Sequence, residues 1–150
     1  MKLLTLARDL RRRRARERHR LFVAEGVRAV DELLRSDLAV RGVLASPQLA
    51  PAARAALEAA ARVRGVTVTE LDERDFASAA DTDSPQGVLA IGEAPARSLA
   101  TLALPAVARL VVLDGLQDPG NVGTILRTAA ALGDEETMAL ACLPTAEVAG

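Results

Sequence analysis

The chain has 150 residues, half of them hydrophobic, with a formal net charge of −1, so it holds material for one ordinary domain or two small ones. Cys142 and His19 are each the only residue of their type, which excludes a disulfide framework, a zinc ligand set and a His-based triad, and no metal is expected. No apolar run is long enough to span a bilayer and the amino terminus lacks the apolar core of a signal peptide, so a cytoplasmic protein with no membrane partner is expected.

In chain order, residues 3–18 suit one helix, with Leu3, Leu6, Ala7 and Leu10 as a narrow apolar stripe. Arg11, Arg12, Arg13 and Arg14, with Arg16, Arg18 and Arg20, make this segment a cationic arm: the first 20 residues hold nine Lys or Arg against two acids. Such an arm is either a solvated helix face or a surface that gains affinity for nucleic acid by releasing its counterions. The only aromatic residues are Phe22 and Phe76, so an RNA contact here cannot rest on aromatic stacking platforms.

Leu21–Ala24 reads as a strand and Gly26–Arg35 as a helix with Val27, Val30, Leu33 and Leu34 inward. Val40–Ala45 is a second strand. Pro51 opens an alanine-rich helix to about Val63. Val66–Leu71 is a third strand, Asp72 caps a short helix through Ala79, and Val88–Ile91 is a fourth strand. Strands alternating with helices predict an α/β sandwich over residues 1–92. Ser84, Pro85 and Gly87 mark a turn before the last strand. Residues 93–106, with Pro95, Pro105 and many alanines, suit a linker to a second domain over 107–150.

That second part opens on the stretch 113–133, LDGLQDPGNVGTILRTAAALG. Leu110–Leu113 suits a buried strand, and Asp114–Gly120 carries turn chemistry. Asp118 before Pro119, or Asn121, can cap the following helix. On that helix Val122, Ile125, Leu126, Ala129 and Leu132 share one arc, and Arg127 lies opposite, with Gly123 and Thr124 on the preceding turn. Gly123 costs ~1 kcal/mol relative to alanine in a helix, which points to a close approach by a ligand or another backbone. Spacing leaves Arg127 open as a plain surface residue and Asn121 as a plain cap. The glycines match neither a P-loop nor a dinucleotide fingerprint. Met138–Leu143 suits the next strand, after an interruption at Asp134, Glu135 and Glu136.

The stretch resembles the first motif of the SpoU/TrmH family of RNA ribose methyltransferases in the SPOUT superfamily. That motif is Asn-x-Gly with Arg six residues after the Asn, here Asn121, Gly123 and Arg127, between LDGLQDPG and RTAAALG. RERHRLFVAEGVRAVDELL, with Glu25-Gly26, resembles the opening of the family's substrate-binding domain, and DTDSPQGVLAI resembles its closing loop and strand. The resemblance implies an amino-terminal α/β sandwich followed by an incomplete SPOUT α/β-knot domain. The second and third motifs, which form the cofactor-binding knot, are expected to lie outside this chain. It further implies transfer of a methyl group from S-adenosylmethionine to a ribose 2′-hydroxyl of rRNA or tRNA, in a homodimer. Arg127 and Asn121 are then the catalytic candidates. Arg11, Arg12, Arg13, Arg14, Arg16, Arg18 and Gly123 are the candidates for RNA contact, and no cofactor-binding residue is identifiable. The alternatives are a non-catalytic RNA-binding module and an unrelated α/β domain whose loop binds a small anion.

Overall fold

A computed structural model describes residues 2–82, 84–95, 109–116, 118–132 and 138–143 of the chain. The chain divides into two compact units, Met1–Pro95 and Ala96–Gly150. Residues 96–106 of the expected linker and the acidic interruption at 134–136 lie outside the described residues.

The first unit runs α1 (Leu3–Leu10), α2 (Arg13–His19), β1 (Leu21–Glu25), α3 (Val27–Arg35), β2 (Val40–Ala45), α4 (Pro51–Val63), β3 (Val68–Glu70), α5 (Glu73–Ala79) and β4 (Val88–Glu93). Its sheet has the order β1-β4-β2-β3. The last strand is inserted in the middle, antiparallel to β1 and β2, and β3 runs parallel to β2 on the far edge. Residues Val88 to Ile91 are fully buried because both sheet faces are covered. Successive strand residues point to opposite faces. Val43, Ala45, Val88 and Ala90 pack with Val30, Leu33 and Leu34 of α3 and Leu57 of α4. Leu44, Leu89 and Ile91 pack with Ala7 and Leu10 of α1 and Phe76 of α5. The expected α/β sandwich is therefore present, with one core on each side of the sheet.

The expected single helix over 3–18 is two helices. Arg11 ends α1 in the helical region, and Arg12 is extended, at φ −86° and ψ 129°, before α2 begins. The reason lies in the apolar stripe. A straight helix would carry the stripe of Ala7 and Leu10 onto Arg13 and Arg14. The break instead lets Ala15 become the buried position of α2. Arg16 stabilises it by donating from Nη1 to the carbonyls of both Leu10 and Arg11 at 2.9 Å, satisfying acceptors at the end of α1. Asp72 caps α5 as expected, accepting from the Asp75 amide at 2.7 Å.

The 81–87 loop is held to the sheet by side chains distant in sequence. Glu25 accepts from the Asp81 amide at 2.8 Å and from the Thr82 hydroxyl. Gln86 Oε1 accepts from the Val27 amide at 2.9 Å, at the start of α3. Gly87, at φ +76°, lies so close to the turn after β2 that a Cβ would sit 2.6 Å from the Leu49 nitrogen.

The second unit contains β5 (Arg109–Asp114), α6 (Pro119–Leu132) and β6 (Met138–Leu143). β5 and β6 are parallel, in register from Arg109 opposite Met138 to Asp114 opposite Leu143. Parallel neighbours require a crossover, and α6 supplies it. Asp118 is the cap: its carboxylate accepts from the Asn121 amide at 2.9 Å and its carbonyl from the Val122 amide at 3.1 Å. Asn121 therefore lies inside the first turn and is not the cap residue. Leu126 is 39% exposed, so the arc read as core-facing is only partly covered, and Val112 of β5 and Leu116 after it are 51% and 43% exposed. Two strands and one helix offer too little surface to bury both faces.

Two stability tests follow. Gly87→Ala is expected to cost the first unit about 2 kcal/mol or more, from the positive φ plus the contact with backbone. Gly65→Ala, at φ +66° with nothing within 4 Å of the added Cβ, is expected to cost only about 1 kcal/mol. Equal losses in urea unfolding would mean that the 81–87 loop is not seated as described. Asp118→Ala is expected to remove about 1 kcal/mol from the end of α6. Faster hydrogen exchange at the Asn121 and Val122 amides reports it, and unchanged exchange rejects Asp118 as the cap.

Candidate functional site

α6 brings two of its polar side chains, Thr124 and Arg127, together. The Thr124 hydroxyl donates to the Gly120 carbonyl at 2.9 Å, and Arg127 Nη2 donates to Thr124 Oγ1 at 3.3 Å. The guanidinium thus folds back over the preceding turn. A Cβ added to Gly123 would lie 3.0 Å from Arg127 Nη1. The close approach inferred from the helical glycine is therefore made, in this structure, by the arginine four residues on. Positions i and i+4 lie one above the other on a helix, and a side chain leans toward the amino terminus, so Arg127 covers the Gly123 turn.

Asn121 is exposed on the first turn and six residues from Arg127, about 120° round the helix. Its side chain makes no hydrogen bond among the described residues. The site is thus an arginine fixed over a bare stretch of helix, with an amide group at the helix start. Such a guanidinium offers a planar fork of donors to an oxyanion or phosphate.

The basic arm divides by role. Arg8 and Arg11 reach α5 and the loop after it: Arg8 bonds Asp75 and Ser78 at 2.8 and 2.7 Å, and Arg11 Nε lies 3.6 Å from Asp81. Asp9 gathers Arg12 at 3.5 Å and Arg18 at 3.2 Å. Arg13 pairs with Glu17 one turn on at 2.7 Å. Arg16 is half-buried and closes the end of α1. Arg14 is exposed and has no ion pair among the described residues. Four-residue spacing made the Arg13–Glu17 pair visible in the sequence. The Arg8–Asp75 pair and the Gln86 cap of α3 carry no local signal, because their partners are 67 and 59 residues away.

Among the described residues, no group of three or more His, Cys, Asp or Glu is placed to hold a metal ion, and no helix is long and apolar enough to cross a membrane.

Comparison with known proteins adds the lineage. Residues 5–90 match the MRM3-like substrate binding domain. The chain is 31% identical over 124 residues to the 23S rRNA (guanosine(2553)-2′-O)-methyltransferase RlmP of Bacillus subtilis, covering 83% of this chain and 45% of that protein. The chain thus spans about half the length of this relative. An AdoMet-bound rRNA methyltransferase from Sinorhizobium meliloti superposes with a TM-score of 0.67 at 25% identity, over 94% of this chain and 62% of that one. The SpoU methyltransferase AviRb from Streptomyces viridochromogenes, in complex with the cofactor AdoMet, shares the fold at 22% identity and a TM-score of 0.65, over 99% of this chain and 65% of that one. With residues 5–90, more than half of the chain, matched by that domain and an rRNA 2′-O-methyltransferase matched over 124 residues, the chain belongs to the SpoU/TrmH family of RNA 2′-O-ribose methyltransferases.

Proposed function

We propose that the chain supplies the RNA-recognising domain and the first catalytic motif of an S-adenosylmethionine-dependent methyltransferase acting on a ribose 2′-hydroxyl of ribosomal RNA. The observation that carries this reading is the arrangement of Arg127 over Gly123, braced by Thr124, in a chain of this family. The rRNA activity in the name of the Bacillus subtilis relative supports ribosomal over transfer RNA, and with it a cytoplasmic setting.

A ribose hydroxyl is a weak nucleophile that must lose its proton as the new bond forms. The arginine guanidinium has donors and no acceptor, so it does not take that proton. Arg127 instead holds the ribose or its phosphate in place and stabilises negative charge developing on the oxygen. Thr124 limits the swing of the guanidinium, and Gly123 leaves room for it to lie flat on the helix. Asn121 hydrogen-bonds the substrate from the helix start.

S-adenosylmethionine would supply the methyl group. Among the described residues of the second unit, none is identified that would hold it. The exposed Val112, Leu116 and Leu126 support a working form in which this unit is part of a larger body, a homodimer in our reading.

The second reading is a non-catalytic RNA-binding module, favoured by the family match to the substrate-binding domain over residues 5–90. Methyl transfer separates the two: transfer to RNA supports the enzyme, and salt-sensitive RNA binding without transfer supports the module.

In a chain that includes the cofactor-binding motifs, Arg127→Ala is expected to lower methyl transfer to ribosomal RNA by about a hundredfold or more while leaving RNA binding largely intact. An unaffected rate would remove Arg127 from the chemistry. The arm divides under the same assay. Arg14→Ser is expected to lower the slope of log affinity against log salt by about 1 with no change in melting temperature. Arg16→Ser is expected to lower the melting temperature, because it unseats the α1–α2 junction. A salt slope untouched by Arg14→Ser would make the arm a solvated face.

A further inference from the structure

The first unit carries a cleft of about 370 Å³ that the chemistry at α6 does not use. Leu10, Phe22, Val23 and Ala79 give it an apolar wall. Its polar groups are Arg11, Arg16, Glu25, Asp81 and Thr82, contributed by the α1–α2 junction, the end of β1 and the loop after α5.

These groups leave some bonding capacity open. The Glu25 carboxylate accepts from the Asp81 amide and the Thr82 hydroxyl, one bond to each oxygen. A carboxylate has about four acceptor positions, so roughly two remain. Asp81 meets Arg11 only at 3.6 Å, with side chains 77% and 47% exposed, a contact that solvent screens. Arg16 is the fixed member, pinned by two carbonyls.

This distribution selects the occupant. A bare phosphate would meet two carboxylates, and a simple cation would meet two guanidinium groups. An occupant that carries both N–H donors and negative charge meets both kinds of group. We infer that the cleft takes one unpaired nucleotide of the RNA, its base against Glu25 and Asp81 and its phosphate toward Arg11. Guanine is the base that fits. Its N1–H and N2–H₂ are adjacent donors that one carboxylate accepts as a pair, whereas adenine and cytosine present only an amino group and uracil only an imino group. The pinned Arg16 guanidinium is a planar group of the kind on which bases stack, which suits a protein poor in aromatics. The inference rests on the RNA reading above and names the nucleotide that its first unit reads.

The test is fluorescence anisotropy of RNA hairpins that differ only in a single bulged nucleotide, G, A, C or U, titrated with the 150-residue chain at two salt concentrations. The guanosine bulge is expected to bind about tenfold more tightly than the others. Asp81→Asn and Glu25→Gln are expected to abolish that preference, and Arg14→Ser to weaken all four hairpins alike. Because Glu25 also seats the loop, Asp81→Asn, on an exposed side chain, decides the matter: a preference that survives it overturns the inference. Equal affinity for the four hairpins also overturns the cleft while leaving the RNA reading intact. Absence of any salt-dependent binding overturns both. With the guanosine hairpin, the Thr82 and Ala79 amide resonances are expected to shift, and shifts confined to α2 count against the cleft.

Discussion

The insertion of β4 between β1 and β2 is the constraint on which the first unit depends. Its residues Val88 to Ile91 are fully buried and feed both cores, alternate side chains going to opposite faces. A one-residue slip would exchange those faces, so the register is strongly specified. The strand is entered through Gly87, whose contact with the turn after β2 fixes where the 81–87 loop emerges. From there Gln86 reaches the first turn of α3, and Glu25 holds Asp81 and Thr82. The polar edge of the unit is thus set by the packing of an apolar strand.

Charge has a divided task in this chain. Most of the arginines of the first two helices meet a carboxylate or a carbonyl of their own unit. Exposed pairs of this kind contribute only about 0–1 kcal/mol each, so they chiefly orient the side chains. Arg16 differs, because it satisfies carbonyls that the break between α1 and α2 leaves without helical partners. The surface offered to a polyanion is therefore narrower than the number of arginines suggests, and Arg14 is its clearest member.

The second unit shows the same economy at smaller scale. A proline and an aspartate start α6, and a glycine one turn later lets the arginine of the next turn lie across the helix. The brace from Thr124 gives Arg127 a defined direction from within α6 itself. An arginine oriented in advance loses less freedom when an anion arrives. The apolar side chains that remain exposed on the same unit lie on β5, on the loop after it and on α6, beside a described sheet of two strands that cannot close a core alone.

The sequence by itself determined the alternation of strands and helices, the apolar stripes, the Asp72 cap and the family-like spacing of Asn121, Gly123 and Arg127. Each is a short-range pattern, written within one or two turns or one strand. It failed at the 3–18 helix, because the run of good helix formers hid the point where the apolar stripe meets Arg13 and Arg14. It left the cap of α6 open between Asp118 and Asn121, since both residue types suit the position. Only the tertiary structure decided that β4 lies in the middle of the sheet, that Gln86 caps α3, and that Arg8, Arg11 and Arg16 face their own chain. Those outcomes depend on partners far apart in sequence, brought together by burial of the two cores, and no local pattern records them.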